Sequence, residues 1–275
     1  MLLAEGVRAH CAEVAAGARQ VAINLDAASY DGGTAGLDPQ LHRLDAAPEE
    51  VARYVLILDA LNFGSGWFDE LDTNTNALTR RLTEHGTPWT ATELRGLDAA
   101  EVGEALGLAH AHELTGLYVT ALHQLGAWLG RRRVPHDLGS SAQALAADLA
   151  ASMPCFEDPG YYKRAQIAAN DLVLAGVAAF ADVDRLTIFA DNLLPHVLRM
   201  DGVLEYAPGL AARIDAGEAL AHGSAEEREL RACAVHACES LAAQAGVPPR
   251  TLDNWLWHRG LELPGRPHRT RTTAY

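Results

Sequence analysis

Residues 110–130 read HAHELTGLYVTALHQLGAWLG. Leu114, Leu117, Tyr118, Ala121, Leu125 and Trp128 return at steps of three or four, which lays one apolar stripe along a helix. Gly130 and the basic run Arg131-Arg132-Arg133 suit its C-terminus, where basic side chains meet the negative end of the helix dipole. The same grammar recurs on both sides. Asp98 and Glu101 stand three apart as a capping box requires, ahead of Val102 and Leu106. Ser224 and Glu227 repeat the box ahead of Leu230, Ala234, Ala237, Cys238 and Leu241.

Further starts are read at Asp38-Pro39, at Asp45 before Val51, Tyr54, Val55 and Leu58, at Ser140 or Ser141, and at Thr251 before Leu252, Trp255 and Leu256. A helix is expected from about Lys163 to Phe180, and Asp253 and Trp257, four apart, share a face of the Thr251 helix. Only Val21 to Leu25 and Leu186 to Phe189 are short apolar stretches of uncertain type. Strands do not alternate with helices, so a doubly wound nucleotide fold is excluded. The expectation is an all-α, mainly helical single domain over residues 1–275, in one body or two helical lobes, with few or no short strands.

Composition narrows the function. The 275 residues are 49% hydrophobic and 21% charged, which suits a folded globular chain and not a disordered one. The formal net charge is −14, the reverse of the basic footprint that duplex binding needs, so DNA is not expected as a partner. Cys11, Cys155, Cys233 and Cys238 form no CxxC pair and read as buried thiols of a reducing compartment. The N-terminus lacks a basic region followed by an apolar run, and no apolar run is long enough to span a membrane; the protein reads as cytoplasmic. His110 and His112, two apart on a helix, point to different faces and cannot easily share a metal. HExxH is missing, so a metal site is not expected, and without GxSxG, P-loop or GxGxxG patterns the nucleophilic-serine and nucleotide-cradle readings lack support.

Three polar clusters interrupt apolar surroundings. In Leu58-Asp59-Ala60-Leu61-Asn62-Phe63, Asp59 and Asn62 share a face at a helix end, either as cap and core bond or as donors and acceptors for a heterocycle. In Tyr161-Tyr162-Lys163-Arg164-Ala165-Gln166, two cations open a helix where the dipole prefers anions. They either pair with an acid such as Asp158 or hold an anion together with free N–H groups. In Ile188-Phe189-Ala190-Asp191-Asn192-Leu193-Leu194-Pro195, Asp191 is either a helix cap or a carboxylate that stabilises a cationic transition state.

These clusters, in this order, resemble the queuosine salvage protein family, the queuosine 5′-phosphate N-glycosylases or hydrolases. VLILDALNF ending at Phe63, YYKRAQI from Tyr161 and LTIFADNLLPHVL from Leu186 carry the resemblance. LHRL around His42, Glu227 to Arg231, LDNWLW from Leu252 and HRTR from His268 support it. The matches run from about residue 40 to the end.

The resemblance implies a helical fold similar to helix-hairpin-helix DNA glycosylases. It implies hydrolysis of the N-glycosidic bond of queuosine 5′-monophosphate, releasing queuine, a 7-deazaguanine base of tRNA modification. It implies a small-molecule nucleotide partner with no metal or organic cofactor; no membrane is expected from the sequence, and no protein partner is inferred. By the same resemblance Asp191 falls on the catalytic aspartate and Lys163 on the motif lysine, the second catalytic candidate. His42 falls on a base-binding histidine, and Asp253 and Trp257 on the family's L-D-x-x-L-W pair. Asn62, Phe63, Arg164, Phe189 and Arg269 complete the expected substrate-binding set, as base-edge donors, apolar walls and phosphate cations.

Asn192-Leu193 stand where the family often has Tyr-Arg, and the terminal aromatic pair is reduced to Ala274-Tyr275. The preference between nucleotide and nucleoside is open on that account. A queuine- or nucleoside-binding protein without turnover, and a glycosylase acting on a related nucleoside or an RNA-borne base, are the alternatives.

Overall fold

A computed structural model of the chain describes residues 2–34 and 36–275. In chain order its elements are α1 (Leu3–Ala16), β1 (Val21–Ile23), α2 (Pro48–Ala60), α3 (Phe68–Leu71), α4 (Thr75–His85), α5 (Ala91–Gly96), α6 (Ala99–Leu106) and α7 (Glu113–Leu129). There follow α8 (Ala142–Ser152), α9 (Lys163–Leu174), α10 (Leu193–Met200), β2 (Leu204–Tyr206), α11 (Pro208–Asp215), α12 (Ala225–Ala245) and α13 (Pro249–Gly260). The fold is mainly α. Among the described residues the one sheet is the antiparallel pair β1–β2, with Ala22 opposite Glu205. Among the described residues no helix is long and apolar enough to cross a membrane.

The chain divides into two compact units. One comprises residues 1–36, 159–163 and 184–272; the other comprises 37–158, 164–183 and 273–275. In the first, α12 is the central helix. Leu230, Ala234, Ala237, Cys238 and Leu241 are all buried, which makes the stripe read from sequence the seat of the core. Val7 and Cys11 of α1, Val197 and Leu198 of α10, and Leu252 and Leu256 of α13 belong to the same core. Each buried leucine contributes roughly 1.5–3 kcal/mol.

In the second unit α7 packs with α2, α5 and α6. Leu114, Tyr118, Leu122 and Leu125 are fully buried. A side chain at Gly126 would lie 2.8 Å from the Leu94 Cβ and 3.0 Å from the Ala91 carbonyl oxygen, so only glycine lets α5 approach this closely.

Several expected boundaries hold, but the start of α7 is later than the expected residue 110. It begins at Glu113; His110 and His112 lie before it and not on it, and His112 caps it through Nδ1, which accepts from Leu114 N–H at 3.1 Å. Asp98 and Glu101 form the full box on α6, and Ser141 caps α8. At α12 the box is half as expected. Ser224 Oγ accepts from Glu227 N–H at 3.3 Å, while the Glu227 carboxylate takes Gly223 N–H at 3.1 Å.

Other boundaries move. Asp38-Pro39 opens a single turn, not a helix: the Asp38 carbonyl accepts from Leu41 and His42, and its side chain takes Gln40 N–H at 2.8 Å. Pro48 then holds Ala47 extended and restarts the chain, so Pro48, not Asp45, sets where α2 begins. Likewise Pro249 at the first position starts α13 two residues before Thr251. α9 stops at Leu174, short of Phe180. Gly176 is left-handed at φ 72°, and Val177 N–H closes back onto the Leu172 carbonyl at 3.1 Å, a Schellman ending. Of the two uncertain stretches, Val21–Ile23 is a strand and 186–190 is neither strand nor helix.

Candidate active site

Ten residues were expected to carry the chemistry. Lys163, Phe189, Asp191, Asp253, Trp257 and Arg269 lie in the first unit; His42, Asn62, Phe63 and Arg164 lie in the second.

The segment 186–191 organises the first group. It is buried yet joins no sheet, so its backbone polar groups have no ladder to satisfy them. Side chains take that part. Asp253 of α13 accepts Phe189 N–H on Oδ1 at 2.7 Å. Arg231 of α12 donates from Nε to the Ala190 carbonyl at 3.0 Å. Asp191 follows at once and is 6% exposed. Its Oδ1 accepts Leu193 N–H at 2.8 Å and Leu194 N–H at 3.1 Å, satisfying the open end of α10. Among the described residues its Oδ2 takes no hydrogen bond. One oxygen is therefore fixed and the other is not engaged by the described residues.

Arg231 is fully buried. Its guanidinium sits 3.9 Å from the Tyr161 ring centroid, and Nη1 lies 3.4 Å from Glu227 Oε1 one turn earlier. Tyr161 in turn donates its hydroxyl to the Arg228 carbonyl at 2.9 Å. His268, also buried, accepts from Asn192 Nδ2 on its carbonyl at 3.2 Å. Burial first, and the neighbouring Arg231 charge second, push the His268 imidazole down to about 3.

Lys163 is the first residue of α9 and is 4% exposed. Tyr162 before it is left-handed at φ 51°, a conformation that costs a residue with a Cβ about 1–2 kcal/mol. That kink turns the chain into the helix. Trp257 is half-buried on the core of this unit and meets His258 edge-on at 5.3 Å. Arg269 is half-buried, and its carbonyl accepts Leu220 N–H at 2.8 Å.

In the second unit α2 ends at Ala60, and Asn62 N–H returns to the Asp59 carbonyl at 3.4 Å. Phe63 is buried. Its carbonyl accepts from the Tyr118 hydroxyl at 2.7 Å, and the two rings meet at 4.8 Å and 70°. Gly64 N–H donates to the Tyr275 carbonyl at 3.2 Å. His42 is half-buried, with Nδ1 2.9 Å from the Asp38 carbonyl oxygen.

Arg164 stands apart from a ligand-binding cation. It is 1% exposed and donates to the carbonyls of Asp59 at 3.2 Å and Thr273 at 2.7 Å, and also to those of Ala60 and Cys155. Its charge lies 4.5 Å from the Phe63 ring centroid and 5.0 Å from that of Phe156. The guanidinium fork fastens the end of α2; it does not face outward.

Sequence reasoning gave no role to Arg231, although Glu227 and Arg231 at a four-residue spacing inside an apolar stripe are a readable sign of a buried pair.

A family model described as "Queuosine salvage protein" matches residues 41–275. The chain is 32% identical to a queuosine 5′-phosphate N-glycosylase/hydrolase of Sphaerobacter thermophilus, over 86% of this chain and 84% of that protein. It is 35% identical to the protein of that name from Bos taurus over 49% of this chain and 48% of that one. The Dictyostelium discoideum protein of that name is 36% identical over 42% of this chain and 40% of its own length.

Proposed function

The chain belongs to the queuosine salvage protein family, and from that premise we propose that it hydrolyses the N-glycosidic bond of queuosine 5′-monophosphate to release queuine. The observation that carries the assignment of the chemistry is the divided carboxylate of Asp191. Oδ1 is pinned by two N–H groups of α10, and Oδ2 takes no hydrogen bond among the described residues.

Cleaving the C–N bond sends its electron pair to the base and leaves an oxocarbenium-like ribose. Asp191 faces that developing positive charge and needs no rearrangement to do so, because its anchoring oxygen is already set. A water activated by the same carboxylate adds to the anomeric carbon; one of its protons stays in the new ribose hydroxyl, and the other, taken up by the carboxylate, ends on the departing base. A 7-deazapurine carries carbon where guanine carries N7, so the usual site for protonating a purine is missing. Stabilisation of the sugar cation is correspondingly the larger share of the work.

Lys163 binds the 5′-phosphate in this reading. Asp253 accepts from the amine and N1–H of the base, with Phe189 and Trp257 as apolar walls, and Arg269 assists the phosphate. His42 keeps the base-binding role that the resemblance implies, and Asn62 and Phe63 keep the roles read for them of base-edge contact and apolar wall. Arg164 contributes by holding the chain at Asp59 and Ala60 in place.

Queuosine 5′-monophosphate is incubated with the protein and free queuine is followed by mass spectrometry. Queuosine and guanosine monophosphate run alongside. Release from queuosine 5′-monophosphate, reduced about 10²–10³-fold by Asp191→Asn, is the expected result. Tight queuine binding without turnover would make the protein a receptor instead.

A further inference from the structure

The α10 N–H groups hold Asp191 Oδ1, but the backbone that leads into Asp191 belongs to no strand or helix, so something else must fix the peptide from which it departs. We infer that Arg231 is a positioning residue for this reaction: by gripping the Ala190 carbonyl it sets the peptide plane from which Asp191 departs. The inference rests on the hydrolytic reading given above.

The Ala190 carbonyl and the Asp191 nitrogen share one planar peptide. A hydrogen bond of 3.0 Å to that carbonyl therefore restrains the rotation that would swing the Asp191 Cα and its side chain. Arg231 is itself held on three sides. Glu227 lies one turn back on α12, the Tyr161 ring lies under its guanidinium, and the side chain as a whole is buried. Glu227 is fixed in turn by Gly223 N–H at 3.1 Å. The run from Gly223 to Glu227, Arg231, Ala190 and Asp191 thus joins the rigid start of a 21-residue helix to the carboxylate.

This arrangement also answers a question of economy in the core. A buried guanidinium–carboxylate pair adds little stability over an apolar pair of the same size. Here the guanidinium has a second acceptor in the backbone one residue before the reacting group, a task that an apolar residue cannot perform.

Arg231→Lys keeps the positive charge beside Glu227 but gives up the Nε–H that meets Ala190. Expected is a fall in kcat of about 10²-fold, the usual consequence of misplacing a reacting group by an ångström, with KM changed less than about threefold. Melting temperature is measured on the same preparation. If the lysine variant does not fold, Glu227→Gln with Arg231→Met removes both charges together and predicts the same loss in kcat. Because Arg231 acts through Asp191, adding Arg231→Lys to Asp191→Asn should lower the rate no further. A folded Arg231→Lys protein with the original kcat, or a loss that multiplies in full onto Asp191→Asn, overturns the inference. Full turnover by Asp191→Asn alone would instead remove the hydrolytic reading on which it rests.

Discussion

The Oδ1 atom of Asp191 lies 2.8 Å from the Leu193 nitrogen, so the carboxylate assigned to the chemistry also starts α10. The two readings that the sequence left open at this position are compatible, one for each oxygen. Substitution separates them. Asparagine keeps an oxygen for Leu193 and Leu194 but loses the charge; alanine loses both. Asp191→Asn is expected to unfold in urea at nearly the original midpoint while turnover falls. Asp191→Ala is expected to lose about 1 kcal/mol in addition, the usual worth of a helix cap.

Lys163 separates nucleotide from nucleoside. If its ammonium holds the 5′-phosphate, Lys163→Ala should raise KM for queuosine 5′-monophosphate about 10- to 100-fold, as loss of a charge-assisted hydrogen bond does. Steady-state kinetics on queuosine itself should change little. Equal losses on both substrates would place the lysine elsewhere.

Asp253 is already engaged through Oδ1 with Phe189 N–H. Asp253→Asn can keep that bond and gives up the anionic edge that the amine and N1–H of the base require. KM should rise about 10-fold or more with the melting temperature nearly unchanged. Asp253→Ala should lower both affinity and kcat, since the Phe189–Asp191 segment then loses one of its supports. Calorimetric titration with queuine reads the affinity directly.

Arg164 should matter for stability first. Arg164→Met leaves the carbonyls of Asp59, Ala60, Cys155 and Thr273 without this donor. A loss of more than about 3 kcal/mol in urea unfolding is expected. Lysine should restore only part of it, because an ammonium is a point and not a fork. A change confined to KM, with stability intact, would return the guanidinium to the substrate.

His268 makes stability fall in mild acid. In the folded protein its imidazole stays neutral down to about pH 3, held there by burial and by Arg231. In the unfolded chain it takes up a proton near pH 6.5. Its contribution is therefore complete above about pH 6.5 and is lost as pH drops towards 3, by roughly 1.4 kcal/mol per pH unit. Urea midpoints between pH 7 and 4 should flatten in His268→Gln. An unchanged slope would mean that the proton is taken up by another group.

An apolar stripe made α7 and α12 readable, and a capping side chain made α6, α8 and α12 readable, because both are local signals. Boundaries governed by proline moved away from the capping residues chosen for them, as at Pro48 and Pro249. The segment 186–191 was ambiguous for a physical reason. It is buried on all sides like a strand, yet its hydrogen bonds go to Asp253 and Arg231, which stand tens of residues away in sequence. The clusters around Asp59, Lys163 and Asp191 could be seen as polar groups in apolar settings. What each oxygen or nitrogen touches could not, since those partners are mostly backbone atoms brought in by the fold.

The grip of Arg164 has a further consequence, for how this protein can change over generations. A guanidinium that holds carbonyl oxygens asks nothing of the side chains that bear them, because every amino acid supplies the same oxygen. Positions 60, 155 and 273 are thus free to drift as far as this contact is concerned, while position 164 is not. A search for pairs of positions that vary together would pass over the whole arrangement and register one fixed letter with no correspondents.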